Sequence, residues 1–512
     1  VTITLDPSQE AAVELVCTAR CGVVTGGPGT GKTTCLRTAL DRLDARGVTY
    51  QLAAPTGKAA RRMREATGRL ASTVHRLLEY GPDPLTGELG FRRNERNPIA
   101  VELVVVDEAS MLDVDLADAL TRAVSPTTTR LVLVGDADQL PSVGPGRVFG
   151  DVITSGRVPV ARLTTLHRAA AETWVCSQAP VILGGNVPDL RDRPDFRWLE
   201  HEDRSKAIDA LISAVFRDLP ALGVPAGDAQ VLIPQRVGPC GCNATNTRLQ
   251  QILNPERDSD PVPWKIGKAT DEDARALRLR DRVIQTRNDY TLGVANGEVG
   301  EVCSITHEPT TCDRCQGTGT DAAMRTTCEL CKGSGRRPPL LTVRYPDDDG
   351  RDRKIGYTRT DVFALDLAYA LTVHKSQGSQ WPWVVVFAHS THTRMLTRQL
   401  LYTAITRAQK GVVLVGDLVG LGRAVKNVSD AQRNTWLAQE LRAAEIDASP
   451  GPLTAEQRES IAALAARARA EGDHETADYG DAVLALDEPR PRVATPIDEE
   501  PTSAELADLF PM

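Results

Sequence analysis

Residues 23–34 read Val-Val-Thr-Gly-Gly-Pro-Gly-Thr-Gly-Lys-Thr-Thr, and no other stretch narrows the possible folds as far. Gly26, Gly31, Lys32 and Thr33 fill the G-x-x-x-x-G-K-[ST] spacing of a phosphate-binding loop. Val23 and Val24 read as the end of a buried strand. Helical periodicity from Thr33 to Leu43 means that the loop opens a helix. Glycines let backbone N–H groups turn inward onto phosphate oxygens, and a helix N-terminus adds positive potential there. Gly26, Gly27, Pro28, Gly29, Thr30, Gly31, Lys32, Thr33 and Thr34 are therefore the expected cradle of a nucleoside triphosphate, ATP. Lys32 brings a point charge to the β- and γ-phosphates, and the Thr33 hydroxyl is placed to hold Mg²⁺. The alternative is a chance glycine-rich turn, which has no reason to sit between a strand and a helix in register.

The surrounding chain repeats that pattern. Leu5–Glu10 starts a helix, with Asp6 capping and Pro7 in the first turn. Tyr50–Ala54 reads as a strand leading into Pro55-Thr56-Gly57-Lys58-Ala59-Ala60. Val101–Val106 is a buried strand ending in Asp107-Glu108, and Arg130–Val134 is another ending in Gly135-Asp136. Strand–helix alternation with polar residues at strand C-termini is the signature of a parallel, doubly wound α/β sheet. Asp107 is expected to hold Mg²⁺, directly or through water. Glu108 is placed to orient and deprotonate an attacking water.

A chain of 512 residues has room for about three or four domains at ~150 residues each. We expect a first domain over 1–160, with a hairpin at 80–98, and a second over 161–280 that resumes at 361–447. Between the two parts of the second lies an inserted small β-barrel, 281–360, with short strands and Gly-, Asn- and Asp-rich turns. Residues 448–512 read as a helix followed by a disordered acidic tail. That tail explains the net charge of −8. Residues 471–512 alone carry −10, leaving the rest at +2, so whole-chain charge does not exclude a DNA groove. The acidic, partly apolar end, Leu506–Phe510, suits a protein partner or masking of that groove. No apolar run reaches the ~18 residues of a membrane helix. Val1–Glu10 lacks a basic-then-apolar signal segment, so a cytoplasmic location is expected.

Further motifs follow in order: Pro55–Ala60, Asp107-Glu108-Ala109-Ser110, Gly135-Asp136-x-Asp138-Gln139-Leu140-Pro141-x-Val143-Gly144-x-Gly146, Leu166-His167-Arg168, Leu371–Ser379 and Leu401-Tyr402-Thr403-Ala404-Ile405-Thr406-Arg407-Ala408. In this order they resemble superfamily 1 DNA helicases of the RecD-like branch. The resemblance runs over roughly residues 1–420. It implies two RecA-like domains with ATP in the cleft between them, an SH3-like barrel, and 5′→3′ movement on single-stranded DNA in replication, recombination or repair. It also implies that Gln9 reads the adenine, that Gln139 senses the γ-phosphate, and that Arg168 and Arg407 are arginine fingers. Contacts to the DNA backbone fall, by the same resemblance, on Thr56, Lys58, Thr73, His75, Thr372, His374 and Lys375. His75 has a second reading as a helix-face histidine. The chain starts directly at the helicase core, and Gln380 stands where the family usually has Glu. Alternatives to a helicase are a DNA-stimulated translocase that unwinds little, or a subunit of a recombination nuclease complex.

Two features lie outside the ATPase motifs. Cys312-x-x-Cys315 and Cys328-x-x-Cys331 each continue as C-x-x-C-x-G-x-G, a knuckle spanning 312–335 whose four thiolates suit tetrahedral Zn²⁺. The repeat resembles the zinc repeats of DnaJ-type chaperones; a redox dithiol or a disulfide pair is the alternative. Residues 80–98 are polar, with a turn at Thr86-Gly87 and with Tyr80 and Phe91 on either side. The resemblance makes this the pin that separates strands at a single-strand/duplex junction; an ordinary surface loop is the alternative.

Overall fold

The computed structural model describes residues 5–443, except 83–86, 166–171, 268–274, 290, 312–313, 317, 319, 321–326, 328–333, 335, 338–339, 347–351, 393 and 429–436. Arg168, Cys312, Cys328, Cys331, Thr86 and the acidic tail thus lie outside the described residues.

The chain enters through α1 (Pro7–Thr18). The Asp6 carboxylate accepts from the Ser8 and Gln9 N–H groups, and the Gln9 side chain accepts from the Asp6 N–H, a complete capping box. Strand β1 (Cys21–Gly26) follows, then the glycine loop and α2 (Lys32–Ala45). Next come β2 (Tyr50–Ala54), α3 (Gly57–Thr67), β3 (Ala71–Thr73), β4 (Leu103–Val106), β5 (Arg130–Gly135) and β6 (Val160–Leu163). They form one parallel sheet in the order β3-β2-β4-β5-β1-β6. Leu103–Val106 is fully buried, because helices cover both faces of a parallel sheet. Each such side chain contributes about 1.5–3 kcal/mol of burial. The loops after β1, β2, β4 and β5 leave from the same edge, which gathers the glycine loop, Thr56, Asp107-Glu108 and Asp136 in one place.

The second sheet begins after α4 (Trp174–Leu183), a helix that contains Pro180 in its interior. It takes β7 (Phe196–Glu200) and β8 (Ala229–Ile233), and is then interrupted. The interruption is an antiparallel five-stranded sheet of β9 (Arg282–Gln285), β10 (Val299–Thr306), β11 (Leu340–Pro346), β12 (Asp352–Tyr357) and β13 (Leu365–Leu367), ordered β12-β11-β10-β9-β13. The fifth strand lies past residue 360, where the insert was expected to end. Three residues are too few to display an alternating pattern in sequence, and β13 is recognisable only through its pairing with β9. Then β14 (Ala370–Thr372), β15 (Trp381–Ala388) and β16 (Ala408–Gly416) complete the second parallel sheet, ordered β14-β8-β15-β16-β7. Helix α5 (Arg398–Ile405), between β15 and β16, carries the chain to Arg407.

Candidate nucleotide cleft and nucleic-acid groove

Gly31 has φ +88°, a left-handed conformation that side chains rarely adopt, so the bend into α2 requires glycine. Inside the loop the Lys32 ammonium donates to the Gly26 and Gly27 carbonyls at 2.5 and 3.1 Å, and the Thr30 hydroxyl donates to Gly27 at 2.9 Å. Gln9 is buried, its amide donating to the Thr30 carbonyl at 3.2 Å, so α1 is tied to the loop. Thr33 sits in the first turn of α2. Helix α4 closes in from the second domain, with the Cys176 thiol 3.7 Å from the Pro28 carbonyl.

Asp107 continues the β4 line, its N–H donating to the Ala53 carbonyl at 2.9 Å, while its carboxylate accepts from the Glu108 N–H at 2.8 Å. Burial, reinforced by Glu108, pushes the Asp107 carboxyl up to about 6, against the pull of Lys32 and Arg62. Glu108 has φ +53°, and its carboxylate lies 3.6 Å from Arg62 of α3.

The two parallel-sheet domains meet in a hydrogen-bonded seam. Arg407 is only 1% exposed and donates to the Gln139 amide oxygen at 2.6 Å. The Gln139 amide nitrogen donates to Asp136 at 3.1 Å, and the Tyr402 hydroxyl donates to the same carboxylate oxygen at 2.8 Å. Leu140 donates to the Thr403 hydroxyl at 2.8 Å and accepts from the Gln377 amide at 2.9 Å. Lys32, Asp107, Glu108, Gln139 and Arg407 therefore share one cleft with the glycine loop. Asp136, Tyr402, Thr403 and Gln377 join them without having been singled out. Their motifs were recognised, yet no spacing rule says which motif residue faces across a cleft.

The expected DNA contacts fall in two groups. Thr56 and Thr73 each cap a helix, accepting from Ala59 N–H at 3.2 Å and Arg76 N–H at 3.1 Å. Lys58 stands 5.8 Å over the Trp381 ring, and burial, with Arg282 nearby, pushes its ammonium down to about 8. His75 packs against Tyr80 and Phe91 at 5.6 and 5.8 Å, with those two rings 4.9 Å apart. This aromatic cluster forms the base of the hairpin whose strands are Gly81–Pro82 and Leu89–Gly90. His75, on the short helix Val74–Leu77, thus packs as a helix-face histidine against the base of the hairpin. On the second domain, the Thr372 hydroxyl accepts from the Lys375 N–H at 3.4 Å, and His374 opens a short 3-10 turn. The Lys375 ammonium lies 3.1 Å from Asp366, which also draws Arg275 at 3.3 Å and Arg236 at 3.8 Å. Arg236, Arg275, Asp366, Thr372 and Lys375 line a cavity of about 300 Å³. Gly378, at φ +70°, joins the groups: a Cβ there would come 2.7 Å from the Thr56 hydroxyl.

Fold and glycine loop together define a two-domain P-loop protein whose domains are joined by the Arg407–Gln139 hydrogen bond. Comparison with known proteins narrows this. Residues 9–145 match the model of an AAA domain, 245–313 that of the ATP-dependent RecD-like DNA helicase SH3 domain, and 367–415 that of the UvrD-like helicase C-terminal domain. The chain is 35% identical over 440 residues to the ATP-dependent RecD2 DNA helicase of Deinococcus radiodurans, covering 86% of this chain and 53% of that protein. It is 31% identical to the RecBCD enzyme subunit RecD of Mycolicibacterium smegmatis, covering 86% of this chain and 75% of the relative. The chain belongs to the RecD-like helicase family. It spans about half the length of the Deinococcus relative. Among solved structures, a Bacteroides Pif1 helicase in complex with ADP-AlF3 and ssDNA matches with a TM-score of 0.48 at 19% identity, over 82% of this chain and 94% of that one.

Proposed function

We propose that the protein is an ATP-dependent DNA helicase that moves 5′→3′ along single-stranded DNA and opens duplex at the junction. The observation that carries this reading is the Arg407–Gln139 hydrogen bond, which joins the second domain to the nucleotide edge of the first. A guanidinium stabilises the charge spread over a transferring phosphoryl group. When that guanidinium belongs to the other domain, hydrolysis and cleft closure are coupled, and alternating closure can drive movement along a strand. Gln9, Lys32 and the loop amides bind the triphosphate, and Glu108 orients and deprotonates the water. A buried carboxylate with a raised proton affinity fits a cation ligand, so Asp107, with Thr33, would hold Mg²⁺, whose chemistry is to neutralise phosphate charge. Arg168 remains a second proposed finger on the strength of its motif. Thr56, Lys58, Thr73, His75, Thr372, His374 and Lys375 are proposed to follow the DNA backbone, which needs no sequence reading.

Unwinding needs an obstacle as well as a motor. The hairpin at 80–98 is anchored at its base, where Arg93 pairs with Glu79 at 2.7 Å and donates to the Pro98 carbonyl at 3.1 Å. Leu89, paired with Pro82, is 65% exposed. Opening a base-pair step costs about 1.4 kcal/mol, so a missing wedge stops strand separation and spares translocation. Replacing Pro82–Leu89 with a Gly-Ser linker, which leaves Phe91 and Arg93 in place, is expected to keep DNA-stimulated ATPase and abolish strand displacement. Duplexes with 5′ and 3′ tails, with and without ATP, test both the helicase reading and its direction. Displacement from 3′ tails alone overturns the direction, and normal displacement by the linker variant relocates the pin.

The mycolicibacterial relative is named as a subunit of RecBCD, which favours a second reading, a subunit of a recombination complex that unwinds little alone. Strand displacement by the isolated chain decides against it. For the cysteine knuckle at 312–335 we retain structural Zn²⁺ as a proposal resting on spacing; Cys315 is buried. Purified protein is expected to carry about one zinc per chain and to lose it in Cys331→Ser. Elemental analysis without zinc removes the assignment. Among the described residues no helix is long and apolar enough to cross a membrane.

A further inference from the structure

Arg62 has no part in the roles assigned above, yet it touches the proposed general base. Its guanidinium lies 3.6 Å from the Glu108 carboxylate, in a pair whose side chains are 36% and 15% exposed. Three features make the contact more than a surface ion pair. Glu108 holds a left-handed backbone, φ +53°, a conformation side chains rarely adopt and one that recurs at switch positions. Arg62 stands four residues after Lys58 on α3, so both lie on one face of a rigid helix whose first residues are the proposed DNA contacts. Arg407 feels the charges of both Glu108 and Arg62. Glu108 is thus paired with a guanidinium on α3 and shares a charge environment with one from the second domain.

We propose that Arg62 is a positioning residue that holds Glu108 against α3 until a strand of single-stranded nucleic acid binds at the N-terminus of that helix. The bound strand engages Thr56 and Lys58, shifts α3, and releases the carboxylate toward the nucleotide. A partly exposed pair held at 3.6 Å is weak enough for such a shift to break it. No covalent step is added; the pair sets how often the base points at the water. This rests on the reading of α3 as a DNA contact.

The test uses the full chain, with oligothymidine as the nucleic acid. Arg62→Ala is expected to raise the DNA-free kcat about two- to fivefold, the range a partly exposed ion pair can restrain. The KM for ATP and the DNA-saturated kcat should stay as in the wild type, so the stimulation ratio falls. Arg62→Lys, which keeps the charge, should restore most of the restraint. In a Glu108→Gln background the same Arg62→Ala change should leave the rate unmoved. A DNA-free kcat at or below wild type in an Arg62→Ala protein that melts normally overturns the proposal. So does weakened oligothymidine binding with the ratio at saturation intact, which makes Arg62 a plain DNA contact. A wild-type protein whose ATPase ignores DNA removes the motor reading itself, an outcome separable from any effect of Arg62.

Discussion

Replacing Arg407 with alanine is expected to lower ATP turnover about 1,000-fold or more, with nucleotide still bound. The size follows from the position of the guanidinium. It is buried and already paired with Gln139 at the nucleotide edge. A guanidinium fixed in place before reaction stabilises developing charge without reorganising at that moment. Its other donors stay within the second domain, bonding the Thr403 carbonyl at 3.2 Å and the Ser379 carbonyl at 3.4 Å. Removing it therefore threatens the local fold as well as the chemistry, and a thermal melt belongs beside the kinetics. Arg407→Lys separates the two effects: it keeps a positive charge but loses the planar fork, so folding should survive while turnover remains strongly depressed. Single-turnover hydrolysis with a fluorescent nucleotide reads binding and chemistry separately. Turnover within about tenfold of wild type in a folded Arg407→Ala protein removes the arginine from the transition state.

Glu108→Gln should be nearly as severe on the rate and different in kind. Losing a positioned general base costs about 100- to 10,000-fold, while an amide of the same shape disturbs neither Lys32 nor Asp107. Nucleotide should bind at wild-type affinity and persist, leaving the protein trapped on single-stranded DNA whenever ATP is present. Gel-shift lifetimes with ATP, against those with no nucleotide, measure the trap. Hydrolysis by the variant at the wild-type rate means that water is activated by another group.

How much of this could be read in advance depends on the distance over which a feature is encoded. The phosphate loop was legible because its requirements are contiguous: a strand end, left-handed glycines, a lysine and a helix start within twelve letters. The Asp6 cap and the Asp107-Glu108 strand end are equally local. The extent of the barrel was not legible, because β13 has three residues and exists only through its pairing with β9. The partners that the proposed DNA contacts have within the fold were not legible either. Thr56 and Thr73 spend their hydroxyl oxygens on helix caps, and Lys375 already has a carboxylate partner in Asp366. A motif lists such residues without saying what else they touch.

By itself, then, the sequence determined a phosphate-loop pattern at 26–34, a carboxylate pair at a strand end at 107–108, and a motif at 401–408 that contains Arg407. These rest on short-range rules of backbone geometry and charge. The tertiary structure alone decided how the edges combine. It brought Arg407 to Gln139 across 268 residues of chain, set Tyr402 and Gln139 on one Asp136 carboxylate, and laid Arg62 beside Glu108. Contacts between domains arise from how two buried sheets and their covering helices pack, and packing is a property of the whole chain that no local spacing records.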